Sequence, residues 1–248
     1  MSTYQNLGDQ EISPEDRVQW EFTNQSYKKE KDRKDIGKYI YDDELSNYET
    51  AVWHNHSDKK TQVAHRGSKS AYDWFVSDFQ VAGGLENSGK RFKNAEQETI
   101  DAHNKFNYST DVSGHSLGGS ITSNITKNLG NSDWFNSGTT FNSGVSSIGK
   151  GSFFSSSRSE CSKPNPPAYC NKITHLKEKG DLLSNRNIAC DKLTWGLFPS
   201  ACTKTDPFGT TKYYEHKKGK RARDHFTGTL GWVMQRARPH SLQNFVNN

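Results

Sequence analysis

The segment Ser113-Gly114-His115-Ser116-Leu117-Gly118-Gly119 contains Gly-x-Ser-x-Gly, the nucleophile-elbow pattern. A serine hydroxyl is a poor nucleophile until a base takes its proton. The elbow presents the serine to that base on a sharp, strained turn between a strand and a helix. Gly114 and Gly118 stand two residues either side of Ser116 because a Cβ there would collide with the neighbouring strand or helix. The chemistry such a serine serves is acyl transfer through a covalent intermediate. His115, the variable position of the elbow, is not the base.

The flanks must therefore supply a strand before the serine and a helix after it. Downstream, Ile121, Ile125 and Leu129 recur at helical spacing, and Gly130 is a natural C-cap. Upstream, Tyr108-Ser109-Thr110-Asp111-Val112-Ser113 holds β-formers but only Val112 as an aliphatic, whereas a buried parallel strand usually reads as a continuous apolar run.

Other elements alternate around this centre. Ser13-Pro14-Glu15 is a helix start with Ser at the N-cap and Pro at N1, and the helix runs on through Val18, Phe22 and Tyr27 to about residue 31. Residues 50–54 and 61–65 read as a β-hairpin around a polar turn. Residues 90–106 read as a helix with Phe92, Ala95, Thr99, Ala102 and Phe106 on one side. Residues 139–142 and 172–176 read as short strands. Residues 144–170 and 184–216, full of Ser, Gly, Pro, Lys and Cys, read as irregular polar loops. There is no repeat and no sign of a second domain, so residues 1–248 are expected to form one. The alternation predicts a mostly parallel sheet flanked by helices, with the amino-terminal hairpin as an antiparallel edge.

Composition sets bounds. A chain of 248 residues can build one α/β domain. With 31% hydrophobic residues and a mean hydropathy of -0.97, a thin core is expected, and the 12% aromatic residues must supply much of the buried area. No apolar run approaches the ~20 residues that span a bilayer. The opening residues do not read as a signal peptide, so a cytoplasmic or virus-packaged protein is expected, with any membrane contact peripheral. The net charge of +5 is partly concentrated in His216-Lys217-Lys218-Gly219-Lys220-Arg221-Ala222-Arg223. That cluster suits anionic head groups, and equally a solvated loop. No RNA-module signature or Cys/His finger accompanies it, which argues against nucleic acid. The cysteines, Cys161, Cys170, Cys190 and Cys202, form no Cys-x-x-Cys pair, which argues against zinc. Local bridges pairing Cys161 with Cys170 and Cys190 with Cys202 would fit an oxidising context; free thiols would fit a reducing one.

An elbow serine also needs donors for the tetrahedral oxyanion. One is the backbone N–H of the next residue, Leu117; the other comes from a loop after an earlier strand. Val63-Ala64-His65-Arg66-Gly67-Ser68 ends a predicted strand and precedes a helical stretch with Tyr72, Asp73, Trp74, Phe75 and Phe79. Arg66-Gly67-Ser68, then Asp73-Trp74 and a later Asp, then Gly-His-Ser-Leu-Gly-Gly some fifty residues on, resembles the class-three lipases. That family includes fungal triacylglycerol lipases and lipase-like proteins of large DNA viruses and phages, and the motifs cover roughly residues 45–185.

The resemblance implies an α/β-hydrolase fold and an ester hydrolase of lipase or phospholipase type. It makes Ser68 and Leu117 the oxyanion-hole positions and residues 69–79 a helical lid. In a lid, Trp74 and Phe75 would meet a lipid interface; otherwise they are helix core. Lys217, Lys218, Lys220 and Arg221 would add contact with a lipid surface. Chain order in the fold is Ser, then acid, then His. The acid is Asp181, after the strand at 172–176, with Glu178 the fallback. The base is His240, in Pro-His-Ser-Leu-Gln-Asn-Phe, or alternatively His225, in Asp-His-Phe. His65 and His175 lie on strands and are expected to be packed. The reaction requires neither cofactor nor metal. The competing expectation is a catalytically inactive lipase-like component of, for instance, a virion.

Overall fold

The computed structural model describes residues 3–8, 12–67, 85–143, 160–178, 208–214 and 242. Its elements in chain order are β1 (Thr3–Gly8), α1 (Pro14–Ser26), β2 (Ile40–Asp42), β3 (Thr50–Asn55), β4 (Lys60–His65), α2 (Leu85–Phe106), β5 (Ser109–His115), α3 (Leu117–Leu129), β6 (Phe135–Phe141), β7 (Ile173–Glu178) and β8 (Thr210–Tyr214). Short 3-10 turns lie at Glu30–Asp32 and Ala168–Asn171.

Eight strands form one sheet in the order β1-β8-β7-β6-β5-β4-β3-β2. The pairings from β1 to β8 and on through β4 are parallel. Those of β4 with β3 and of β3 with β2 are antiparallel. The expected hairpin is therefore the β3–β4 pair, extended outward by β2. Because β4 to β8 run the same way, their carboxyl ends share one edge. Register fixes that edge, with His65 opposite Gly114, His115 opposite Phe141, and Glu178 opposite Tyr214.

Period-two alternation distributes the side chains to two cores. Val52, Val63 and Val112 face α2 and α3, meeting Ala95, Ala102, Ile121, Ile125 and Phe135. Ala51, Trp53 and Ala64 face the other way, against Phe22 of α1 and Ile36. Phe22, Tyr39, Tyr41 and Trp53 make edge and tilted ring contacts at 5.0–5.6 Å, so aromatics fill much of this layer. A third cluster joins Ile12, Phe141, Leu176, Tyr214 and Leu242 to Trp20 and Tyr27 of the α1 end.

The polar strand before the elbow is real, and its polar side chains are satisfied across the sheet. Ser113 is hydrogen-bonded to Thr23 of α1 at 3.0 Å and accepts from Gln62 of β4 at 3.2 Å. The Asp111 carboxylate accepts from Asn136 at 2.6 Å and from Ser137. A buried polar group costs little once it is paired, so β5 tolerates serine, threonine and aspartate where an apolar run would be usual.

Several boundaries differ from the sequence reading. The cap at Ser13 holds, its hydroxyl accepting from Asp16 N–H at 3.1 Å. The helix stops at Ser26 rather than near 31. There the buried Arg33 guanidinium donates to the Ser26 carbonyl at 3.1 Å and to the Asn47 carbonyl at 2.8 Å, satisfying the helix end and turning the chain. β6 starts four residues earlier than expected. Three strands went unread: β1, β2 and β8. β8 lies inside the stretch read as irregular loop, and the pairing partner that stabilises β1 is 207 residues away in sequence, Thr3 opposite Thr210.

The Cys161–Cys170 bridge forms and sits against Tyr169, Ile173 and Phe208. Closing a loop of this size removes denatured-state entropy worth about 2–3 kcal/mol. Replacing both cysteines by alanine should therefore lower the unfolding free energy by about that amount in urea titration. An unchanged midpoint would contradict it.

Candidate active site

Ser116 lies between the last residue of β5 and the first of α3, with φ 58 and ψ -123. A non-glycine residue at such angles stores on the order of 1–3 kcal/mol and persists only where the surroundings enforce it. The enforcement is visible. A Cβ on Gly114 would overlap the Gly118 carbonyl, and one on Gly118 would overlap the His65 carbonyl. The strand, the helix and the adjacent strand β4 thus touch through bare backbone at both glycines. The Ser116 N–H donates to the Phe141 carbonyl at 3.1 Å, tying the turn to β6 as well. The side chain is nearly enclosed, at 4% relative exposure.

Leu117 opens α3. The first N–H groups of a helix have no intrahelical acceptor, and the positive end of the helix dipole lies there. A negative oxygen developing on a substrate bound to Ser116 would meet both.

The loop after β4 packs directly on the elbow. Gly67 lies so close that a Cβ there would sit 3.0 Å from Ser116 Cβ and 2.7 Å from the His115 carbonyl oxygen. Its N–H donates to the Tyr27 hydroxyl at 2.9 Å, and that hydroxyl is 2.8 Å from His115 Nδ1. Arg66 is buried with its guanidinium 4.1 Å from the Tyr48 ring centroid and 5.4 Å from that of Tyr27. Arg91 donates to the Arg66 carbonyl at 2.6 Å and pairs with Glu49 at 3.2 Å. Tyr27 reads in the sequence only as an apolar helix position; that its hydroxyl joins the two loops is invisible there, since the three residues are far apart in the chain.

His65 and His175 are packed, as expected of strand residues. His175 Nε2 donates to the Phe208 carbonyl at 2.9 Å, and Nδ1 meets the Thr140 hydroxyl at 2.8 Å. His65 Nδ1 meets Thr50 Oγ1 at 2.9 Å, and Thr50 in turn donates to Glu98. Burial pushes both imidazoles down to about 3, so neither is a base at neutral pH. The other sequence-derived positions (Ser68, the 69–79 segment with Trp74 and Phe75, Asp181, the basic cluster, His225, His240, and Cys190 and Cys202) lie outside the described residues. Leu242, two residues after His240, is described: it is buried in the cluster with Phe141, Leu176, Tyr214 and Tyr27, and its carbonyl accepts from Trp20 Nε1 at 2.8 Å. Among the described residues no group of three or more His, Cys, Asp or Glu could hold a metal ion. No helix among them is long and apolar enough to cross a membrane.

A strained serine between a parallel strand and a helix, at the carboxyl edge of a mostly parallel sheet with the antiparallel strands β2 and β3 at one side, defines the α/β-hydrolase fold. Solved structures agree. Lip2 lipase from Yarrowia lipolytica superposes with TM-score 0.52 and 12% identity, over 86% of this chain and 82% of that one. A structure described as a fungal lipase gives TM-score 0.51 and 14% identity over 96% and 100%. At these identities the likeness is one of fold. No family model and no curated protein matches the sequence.

Two outcomes follow from the geometry. Ser116→Gly relieves the left-handed backbone and should raise unfolding free energy by about 1 kcal/mol in urea titration; a loss of stability would contradict the strain. The buried imidazoles bind a proton only after unfolding, between the ordinary 6.5 and about 3. The unfolded chain holds more protons throughout that window, so stability is lost as pH falls through it, by up to about 3 kcal/mol per pH unit for the pair. A pH series of denaturation midpoints checks the sign.

Proposed function

We propose that this protein is a serine hydrolase that cleaves carboxylic esters of lipids, with Ser116 as nucleophile. The observation that carries this is Ser116 itself: strained, flanked by close-packed glycines, at the helix start, with the Gly67 loop against its Cβ. A structural serine gains nothing from such a conformation, whereas a nucleophile gains presentation to a base on one side and to backbone donors on the other.

The remaining parts follow from chain order and from the shared sheet edge. Gly67 N–H is committed to Tyr27, so the donor of this loop is assigned to the next peptide, that of Ser68, opposite Leu117 N–H. Asp181 is assigned as the acid. It follows the end of β7 by three residues, within about 10 Å of Glu178 by chain length alone. The Asn142 side chain accepts from Glu178 N–H at 2.8 Å, which holds the point where that loop departs. His240 is assigned as the base in preference to His225, because Leu242 packs beside Tyr27 and Phe141 and the chain can span only about 7 Å between the two residues.

The imidazole of His240 takes the Ser116 proton as its oxygen attacks the ester carbonyl. The N–H groups of Ser68 and Leu117 receive the oxyanion, and Asp181 orients the imidazole and stabilises its charged form. The alcohol leaves with the proton, and water, activated by the same imidazole, releases the acid. Both of those solved structures are named lipases; together with the aromatic segment at Trp74 and Phe75, they support a lipid substrate. The basic residues Lys217, Lys218, Lys220 and Arg221 favour an anionic phospholipid surface.

Ser116→Ala should lower hydrolysis of p-nitrophenyl butyrate by at least about a thousandfold and abolish labelling by a fluorophosphonate probe. His240→Ala should do the same to turnover while His225→Ala leaves it near wild type; the reverse pattern would reassign the base. Unaltered hydrolysis after Ser116→Ala would overturn the function itself. Changing the four basic residues to glutamine should weaken hydrolysis on anionic vesicles and spare it on soluble esters; equal rates on both would remove the head-group role.

A further inference from the structure

We propose that Tyr27 is a positioning residue for this hydrolysis, a strut whose hydroxyl sets the oxyanion loop against the nucleophile elbow through Gly67 and His115. The proposal rests on Ser116 being the nucleophile.

Tyr27 belongs to neither loop. It caps α1, and its ring packs at the edge of the cluster formed by Ile12, Phe141, Leu176, Tyr214 and Leu242. The ring meets the His115 ring edge-on at 5.8 Å, and the hydroxyl makes the hydrogen bonds at the site. It lies 2.9 Å from Gly67 N and 2.8 Å from His115 Nδ1, and so is shared by the two segments that must be aligned.

The direction of the Gly67 bond is forced. A backbone amide can only donate, so the Gly67 proton points at the phenol oxygen. The phenol oxygen can also donate or accept a second bond, and the direction of its bond to His115 Nδ1 follows the imidazole tautomer. The phenol keeps its proton: burial outweighs the nearby Arg66 and Arg91 and pushes it up to about 12.

The consequence is geometric. With its N–H drawn toward Tyr27, Gly67 cannot serve the substrate, and the following peptide is left to do so. The Tyr27 hydroxyl and Ser116 Cβ both lie on the face of Gly67 where a side chain would project, so the hydroxyl sets how closely the loop seats on the elbow. Loss of the hydroxyl removes that hold and orphans the Gly67 donor. A misplacement of about 1 Å between nucleophile and oxyanion donors costs as much as a hundredfold in rate. Substrate binding remote from the carbonyl would not feel it.

Tyr27→Phe keeps the ring and deletes the strut. We expect kcat on p-nitrophenyl butyrate to fall about tenfold or more with KM within about twofold. The rate of fluorophosphonate inactivation should fall in parallel, because the phosphoryl oxygen occupies the oxyanion position. His115→Leu removes the other hydrogen-bond partner of the phenol and should give a similar fall. The double variant should lose little more than either single one, since both break one chain of bonds. If Tyr27→Phe does not fold by circular dichroism, His115→Leu carries the same kcat and KM test. Wild-type kcat in both variants, a loss confined to KM, or fully additive losses would overturn the strut. A wild-type protein that neither hydrolyses the ester nor takes the probe would instead overturn the nucleophile, and the strut with it.

Discussion

One contact organises the molecule: the backbone of Gly118 against the carbonyl of His65, with Gly114 against Gly118 on the other side. Nothing larger than hydrogen fits at either point. The contact brings β4, β5 and α3 within bare-backbone distance and drives Ser116 into a left-handed turn. It also seats the Arg66-Gly67 loop against the serine, because that loop leaves β4 one residue after the touching carbonyl. The elbow and the oxyanion loop are thus two ends of a single packing constraint.

The sheet around that contact is more polar than its position would suggest. Ser113, Thr23 and Gln62 bond to one another between α1 and the sheet. Asp111 takes donors from β6. His175 is held between the Thr140 hydroxyl and the Phe208 carbonyl, and His65 between the hydroxyls of Thr50 and Thr99. Paired in this way, buried polar groups hold register as firmly as apolar packing does and specify it more narrowly. The aliphatic residues that remain, Val52, Val63, Val112, Ile121 and Ile125, are concentrated on the α2 and α3 face, and aromatics dominate the α1 face.

Legibility in the sequence followed the range of the interactions. The Ser13 cap, the α3 stripe and the β3–β4 hairpin depend on neighbours within a few residues, and all were readable. The elbow was readable because its two glycines report a steric demand through residue type alone. β8 was not: Thr210-Thr211-Lys212-Tyr213-Tyr214 is a strand because β7 lies on one side and β1 on the other. The end of α1 was misread because an arginine seven residues on takes over the last carbonyl. Tyr27 looked like one more apolar position, since its ring is apolar and its hydroxyl's partners, Gly67 and His115, are distant in the chain.

The sequence by itself determined that a serine would stand on a strand-to-helix turn in a sheet with a hairpin edge. Residue type and short-range periodicity carry that information, because turns, caps and hairpins are settled by local sterics. Only the tertiary structure decided that a polar strand could be buried before that turn, and that the tyrosine capping the first helix would join the Gly67 loop to the elbow. Those outcomes depend on atoms brought to within about 3 Å from distant parts of the chain, and residue order alone does not encode such distances.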